Sequence, residues 1–196
     1  MKEYYDKMWQ QEKPFGTWTD ENFKYHYDFF KNYIKTPLLD YGCGSGDFLN
    51  KISDVGFGYD LSEVAITRAK KNYPLNFFYT STESFKNYCF ATVCLIDVLE
   101  HIPDLKTVLS EIKRIIQIGG YLLIATNELS PVKAALISLV IFEKYFNPSS
   151  PHLRYFTRNT LAEVLEENGF KVIKYKRNRS YLGLLSRGQL VVAKSK

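Results

Sequence analysis

The segment LLDYGCGSGDFL, residues 38–49, constrains this chain more than any other. A short apolar run reads as a buried strand. Three glycines follow it directly and lead into a segment of helical pattern. Glycine at 42, 44 and 46 permits a tight turn and lets a ligand approach the backbone without a Cβ in the way. The helix that starts there offers unpaired N–H groups to a polar ligand. A glycine trio alone serves any tight turn, so its meaning depends on what surrounds it.

From Pro37 onward, short apolar runs alternate with helical periods, the pattern of a parallel sheet covered by helices. Strands are expected at 38–41, ending at 58–60, and at 76–79, 91–96, 121–125, 170–175 and 190–193. Helices are expected at 47–53, from the cap Ser62 toward Asn72, at 105–117 and from Thr157 or Asn159 to Gly169. In the 105–117 segment, Leu105, Val108, Leu109, Ile112, Ile115 and Ile116 form one stripe, and Gly119-Gly120 would close the helix. A loop rich in Gly and Ser joins the last two strands, which are close enough to form a hairpin. The expected fold is α/β, a Rossmann-like seven-stranded sheet. It is mostly parallel with an antiparallel final strand, and helices cover both faces.

At 196 residues the chain suits a single domain spanning 1–196, with residues 1–36 a helical N-terminal extension and 127–156 an irregular insertion. Its 45% hydrophobic and 24% charged residues are ordinary for a globular protein. The longest apolar run, Ala134 to Phe142, is too short to span a bilayer as a helix. Cys43, Cys89 and Cys94 show no metal or redox spacing, and the start MKEYYDKMWQQEK lacks a secretory apolar stretch. Both features point to a reducing cytoplasm. The formal charge of +5 shows mainly as Lys171, Lys174, Lys176, Arg177 and Arg179, read as a solvated, charge-protected strand edge.

The glycine spacing separates two ligand classes. A dinucleotide fold uses G-x-G-x-x-G to hold a pyrophosphate. Here the order is G-x-G-x-G, and Asp40 sits two residues before the first glycine. A carboxylate there repels a pyrophosphate and suits a ligand with a free ammonium group. The same logic places an acid roughly 20 residues on, where it binds ribose hydroxyls. Asp60 occupies that place, although a turn role for Asp40 and a cap role for Asp60 are the plainer alternatives.

With these residues in view, the chain resembles the class I S-adenosylmethionine-dependent methyltransferases. Residues 40–46 (DYGCGSG) are similar to their first motif and residues 58–62 (GYDLS) to their second. Residues 95–102 (LIDVLEHI) resemble the fourth-strand motif of small-molecule members, and 118–124 (IGGYLLI) the turn into strand five. The resemblance implies S-adenosylmethionine as cofactor. Gly42, Gly44 and Gly46 would pass beneath the sulfonium and ribose, and Asp60 with Leu61 beside it would meet the ribose. Asp97 and Val98 would flank the methionine moiety. Ser81 stands where many relatives carry an aspartate, so the adenine contact would fall to a Ser81 or Thr82 hydroxyl.

Asp97, Glu100 and His101 cluster where strand four meets a helix, at the carboxyl edge where open α/β sheets bind substrates. His152 lies in the loop after the insertion, over the same edge. Two carboxylates and two imidazoles could hold a divalent ion such as magnesium. The set is similar to the metal site of ubiquinone-biosynthesis O-methyltransferases and small-RNA 2′-O-methyltransferases, where a metal would lower the pKa of an acceptor hydroxyl. Alternatively His101 or His152 acts as a metal-free base or only orients the pocket. His26, among tyrosines and phenylalanines, reads as packing or surface.

Aromatic residues crowd the first 33 positions. In the family such extensions close over the site, so a lid is expected, with Trp9 or Tyr5 facing the sulfonium. An amphipathic helix packed on the sheet is the other reading. The apolar helix expected at 131–146 would be a pocket wall or dimer contact, in a monomer or homodimer. The function expected is methyl transfer to oxygen, or secondarily nitrogen, of a small metabolite. The rivals are an RNA-end 2′-O-methyltransferase and a non-catalytic cofactor-binding partner subunit. No nucleic-acid-binding module is recognisable, so nucleic acid is not an expected partner.

Overall fold

The computed structural model describes residues 2–11, 19–147, 150–181 and 185–196. Helices α1 (Lys2–Trp9) and α2 (Asp20–Phe30) precede the sheet. Then come β1 (Leu38–Tyr41), α3 (Asp47–Ile52), β2 (Phe57–Tyr59), α4 (Glu63–Asn72) and β3 (Phe77–Tyr79). β4 (Phe90–Ile96), α5 (Leu105–Ile115) and β5 (Ile116–Asn127) complete the parallel part. α6 (Pro131–Val140), α7 (Phe142–Tyr145), α8 (Arg158–Glu167), β6 (Phe170–Tyr181) and β7 (Leu185–Ser195) follow.

The strands form one sheet in the order β3-β2-β1-β4-β5-β7-β6. β1 to β5 pair in parallel, and β7 is antiparallel to both β5 and β6. The chain leaves β1 toward β2 on one side and later leaves β4 toward β5 on the other. That reversal opens a crevice beyond the carboxyl ends of β1 and β4, where doubly wound sheets bind ligands.

Successive strand side chains point to opposite faces, and the core divides accordingly. Leu39, Val93, Leu95, Leu122, Ile124 and Val191 pack with Leu109, Ile112 and Ile115 of α5 and with Leu161 and Leu165 of α8. Leu38, Cys94, Leu123, Leu190 and Val192 face Phe29 and Phe30 of α2, with Phe48 and Leu49 of α3. Both faces are covered, which is why these strands read as continuous apolar runs. Ser62 caps α4 by accepting from the Ala65 N–H at 3.2 Å, and Thr157 caps α8 through Thr160.

Several boundaries differ from the sequence reading. The expected 105–117 helix ends at Ile115, and Ile116 pairs with Phe90 as the start of β5. Gly119-Gly120 therefore lies inside a strand. A Cβ on Gly120 would come within 3.0 Å of the Gln117 and Ala91 carbonyls, so the close backbone approach requires glycine. The apolar segment 131–146 is broken at Ile141, which leaves helical geometry at φ −138°. The last two strands are far longer than expected, and the described residues of the Gly-Ser region, 178–181 and 185–188, are strand. Gly188 pairs with Asn127 and Asn178, and a Cβ there would sit 2.6 Å from the Thr126 carbonyl. Pro148 and Ser149 of the expected turn lie outside the described residues, as do Phe15 and Trp18.

Candidate functional site

A cleft of about 710 Å³ opens at the carboxyl edge between β1 and β4. Its floor is the glycine turn. Gly42, Gly44 and Gly46 take φ of +84°, +52° and +83°, a region that disfavours side chains. A Cβ on Gly42 would lie 2.5 Å from Val98 Cγ2, and one on Gly44 would lie 2.5 Å from Trp9 Cζ2. Gly42 and Gly44 line the cleft. Gly46 does not; it begins α3, with Phe78 and Tyr73 where a side chain would go.

Asp60 ties the floor together. Its carboxylate accepts from the Gly44 N–H and the Ser62 N–H, both at 2.9 Å. It thus fastens the turn after β1 to the start of α4 while still lining the cleft. Burial raises its pKa, and these two N–H donors oppose that rise. Asp40 is only 2% exposed, and no donor among the described residues hydrogen-bonds its carboxylate. Burial, with the nearby Asp60 charge, pushes its pKa up to about 7. Asp97 sits at φ +54°, an uncommon conformation for a residue with a side chain, and its N–H is held by the Ala125 carbonyl at 2.8 Å. Burial and the Glu100 charge raise the Asp97 carboxyl as well. Carboxylates left underpaired at one edge are what a cationic ligand would neutralise.

Glu100 and His101 lie on a short 3-10 turn, Leu99–His101, immediately beyond β4. Glu100 is buried and accepts from the Thr126 hydroxyl at 2.8 Å. Burial raises its pKa, while the Thr126 hydroxyl and the Asn127 N–H partly compensate. His101 Nδ1 lies 3.0 Å from the Pro151 carbonyl. A carbonyl can only accept, so Nδ1 carries the proton and Nε2 keeps its lone pair. The Leu153 N–H donates to the Glu100 carbonyl at 2.8 Å, which fixes the following loop. His152 is thereby held with its ring 4.9 Å from that of His101. Burial lowers the pKa of both imidazoles; the Pro151 carbonyl partly opposes this at His101, and the nearby His101 ring adds to it at His152.

The structure therefore gathers Asp40, Gly42, Gly44, Asp60, Leu61, Asp97, Val98, Glu100, His101, His152 and Trp9 around one cleft. Ser81 and Thr82 stand apart from it. Ser81 lines a separate shallow depression and accepts from the Glu83 N–H, and Thr82 packs toward Glu111 and Arg114. An adenine contact through either hydroxyl has no support in this geometry. Ligating atoms of Glu100, His101 and His152 lie within 4.8 Å of one another, and Asp97 is outside that group. Asp97 lines the same cleft, and its carboxyl feels the Glu100 charge. His26, read as packing or surface, is packed, and it also borders the cleft. It is buried in the cleft wall, with Nδ1 2.7 Å from the Asn22 carbonyl. Its aromatic neighbours in sequence gave no sign of that position.

α1 borders the cleft through Tyr5, Met8 and Trp9. Asp6 accepts from the Ser62 hydroxyl at 2.6 Å, and Lys2 pairs with Glu63, both at the start of α4. Tyr5 meets the His101 ring edge-on at 6.3 Å, and burial pushes its pKa up to about 12.

This sheet order, with a glycine turn after β1 and an acid after β2, defines a Rossmann-like methyltransferase fold. Residues 28–175 match the family model described as a methyltransferase domain, and the chain belongs to that family. An uncharacterized protein of Methanocaldococcus jannaschii is 30% identical over 148 residues. That stretch covers 74% of this chain and 59% of the relative, so the chain matches about three fifths of the relative's length. An S-adenosylmethionine-dependent methyltransferase of Methanosarcina mazei superposes with a TM-score of 0.70 at 18% identity, over 86% of this chain and 97% of that one. Magnesium protoporphyrin IX methyltransferase of Synechocystis, solved with S-adenosylhomocysteine bound, gives 0.72 at 14% identity, over 100% and 98%. At such identities these two show the shared fold. Among the described residues no helix is long and apolar enough to cross a membrane.

The cleft fits the cofactor that the family uses. Its floor excludes side chains at Gly42 and Gly44, and among the described residues no Lys or Arg pairs with Asp40, Asp60, Asp97 or Glu100.

Proposed function

We propose that the enzyme transfers the methyl group of S-adenosylmethionine to an oxygen, or secondarily a nitrogen, of a small-molecule acceptor. In this reading His101 takes the acceptor's proton without a metal. The observation that carries it is the His101–Pro151 contact, which leaves Nε2 basic, with the ring kept neutral by burial. The cofactor supplies an already activated methyl on its sulfonium, so positioning is the main requirement. Asp40 and Asp97 would face its ammonium group, and Asp60 its ribose hydroxyls. Leu61, Val98 and Trp9 would form the apolar cradle. We take α1 as a lid whose closure excludes water, and residues 127–156 as the acceptor-side wall, with His152 orienting the acceptor.

A second reading rests on the close approach of Glu100, His101 and His152. Two imidazoles and one carboxylate would suit a first-row transition ion better than magnesium, and such an ion would acidify the acceptor hydroxyl. The test is release of S-adenosylhomocysteine across a panel of small phenols, alcohols and amines. For a histidine base, chelation leaves turnover intact. His101→Gln then lowers kcat on the order of a hundredfold or more and flattens the acid limb of the pH profile. Activity that dies with chelator and returns with a divalent ion sinks the base reading.

A further inference from the structure

We infer that the acceptor enters this cleft without an anionic group, so that the substrate class is an uncharged or cationic molecule bearing a hydroxyl or N–H donor. This rests on the methyltransferase reading of the same cleft. The chain carries 26 Lys and Arg against 21 Asp and Glu, yet among the described residues no Lys or Arg lines the cleft. Five carboxylates do: Asp40, Asp47, Asp60, Asp97 and Glu100.

Among the described residues, four cations of the neighbouring elements are engaged elsewhere. Arg154 donates to the Ile102 and Pro103 carbonyls. Lys133 donates to the Glu128 carbonyl at 2.8 Å, and Arg177 pairs with the Glu128 carboxylate at 3.0 Å. Lys51 pairs with Asp20 at 2.7 Å. A bound S-adenosylmethionine does not reverse the sign. It has an ammonium, a sulfonium and one carboxylate, a net single positive charge against several acidic groups.

The hydrogen-bonding groups on the acceptor side point the same way. The Thr126 hydroxyl is given to Glu100, His101 Nδ1 to Pro151, and the Asn127 amide to the Arg154 carbonyl. What His101 offers at Nε2 is an acceptor, which calls for a donor on the substrate. A unit anion about 5 Å from one ionised carboxylate is disfavoured on the order of a hundredfold at an effective dielectric of about 20. A terminal phosphate therefore has no place near the transferred methyl, which turns away phosphorylated RNA ends.

The experiment uses the full chain saturated with S-adenosylhomocysteine, whose binding is first shown by calorimetry. Histidine ring resonances are then followed by NMR while benzyl alcohol, benzylamine, benzoate and phenyl phosphate are added separately. His101→Gln and His152→Gln assign the signals. The alcohol and the amine should shift the His101 and His152 signals, and both anions should bind at least about tenfold more weakly. Anions that bind as well as benzyl alcohol, or silence from all four probes, overturn the inference. Failure of the calorimetric step would instead count against the cofactor assignment itself.

Discussion

Replacing Asp40 with asparagine should stabilise the ligand-free protein while weakening its hold on the cofactor. Asp40 is buried beside Asp60, and no protein donor among the described residues bonds it. Its carboxyl titrates at about 7, against 3.8 for an unperturbed aspartate. Because the folded-state value is the higher one, the folded protein holds the extra proton between about pH 4 and 7, and stability falls as pH rises through that window. The full penalty is present above about pH 7. A rise of about three units corresponds to at most about 4 kcal/mol. Asparagine removes the charge but leaves an amide to be satisfied, a cost of about 1–3 kcal/mol that partly offsets the gain. A net gain of about 1–2 kcal/mol remains, or roughly 2–8 °C in Tm for a chain of this size. Thermal denaturation of both proteins at pH 5 and pH 8 tests this. The advantage of asparagine should fall by about 3 kcal/mol from pH 8 to pH 5, at about 1.4 kcal/mol for each of the roughly two pH units below the folded-state value, and so be lost or reversed at pH 5. Calorimetry with S-adenosylmethionine should show affinity down by about 1.5–3 kcal/mol, the scale of a lost charged hydrogen bond. A variant that is less stable at pH 8, or one that binds the cofactor unchanged, would refute the reasoning.

Asp60→Ala should lower both cofactor affinity and the Tm of the free protein. The carboxylate holds the Gly44 and Ser62 N–H groups, and losing them costs about 1–3 kcal/mol; an unchanged Tm would show that those bonds contribute nothing. Gly44→Ala must displace the Trp9 ring and strain a backbone at φ +52°. It should therefore change Trp fluorescence and raise protease sensitivity near α1, and an unaltered emission spectrum would place Trp9 elsewhere.

Much of this architecture was legible in the chain because its signals are local. The run at 38–41 reads as a buried strand since both of its faces are covered, and Leu38 and Leu39 do face opposite helical layers. The glycine spacing and Asp60 follow from backbone requirements of a single turn, and the Ser62 and Thr157 caps from contacts three residues apart. The acid–histidine set could be proposed because residues 97, 100 and 101 are near in sequence.

What pairs with what across the fold was decided elsewhere. Ile116 completes a helical stripe by period, yet it becomes strand because Phe90 is there to bond it. Ser180, Ser186 and Gly188 are loop-type residues, but antiparallel pairing among β5, β6 and β7 holds them in strand. Ser81 and Thr82 follow β3 as expected, and the path of that loop toward Arg114 removes them from the cleft. His26 reaches the cleft wall only because α2 packs on the sheet face behind it. His152 stands beside His101 because the Pro151 carbonyl and the Leu153 N–H are bonded to the turn after β4. Local periodicity and turn chemistry act over a few residues, whereas these placements depend on hydrogen bonds and burial between segments tens of residues apart, which form only when the sheet is assembled.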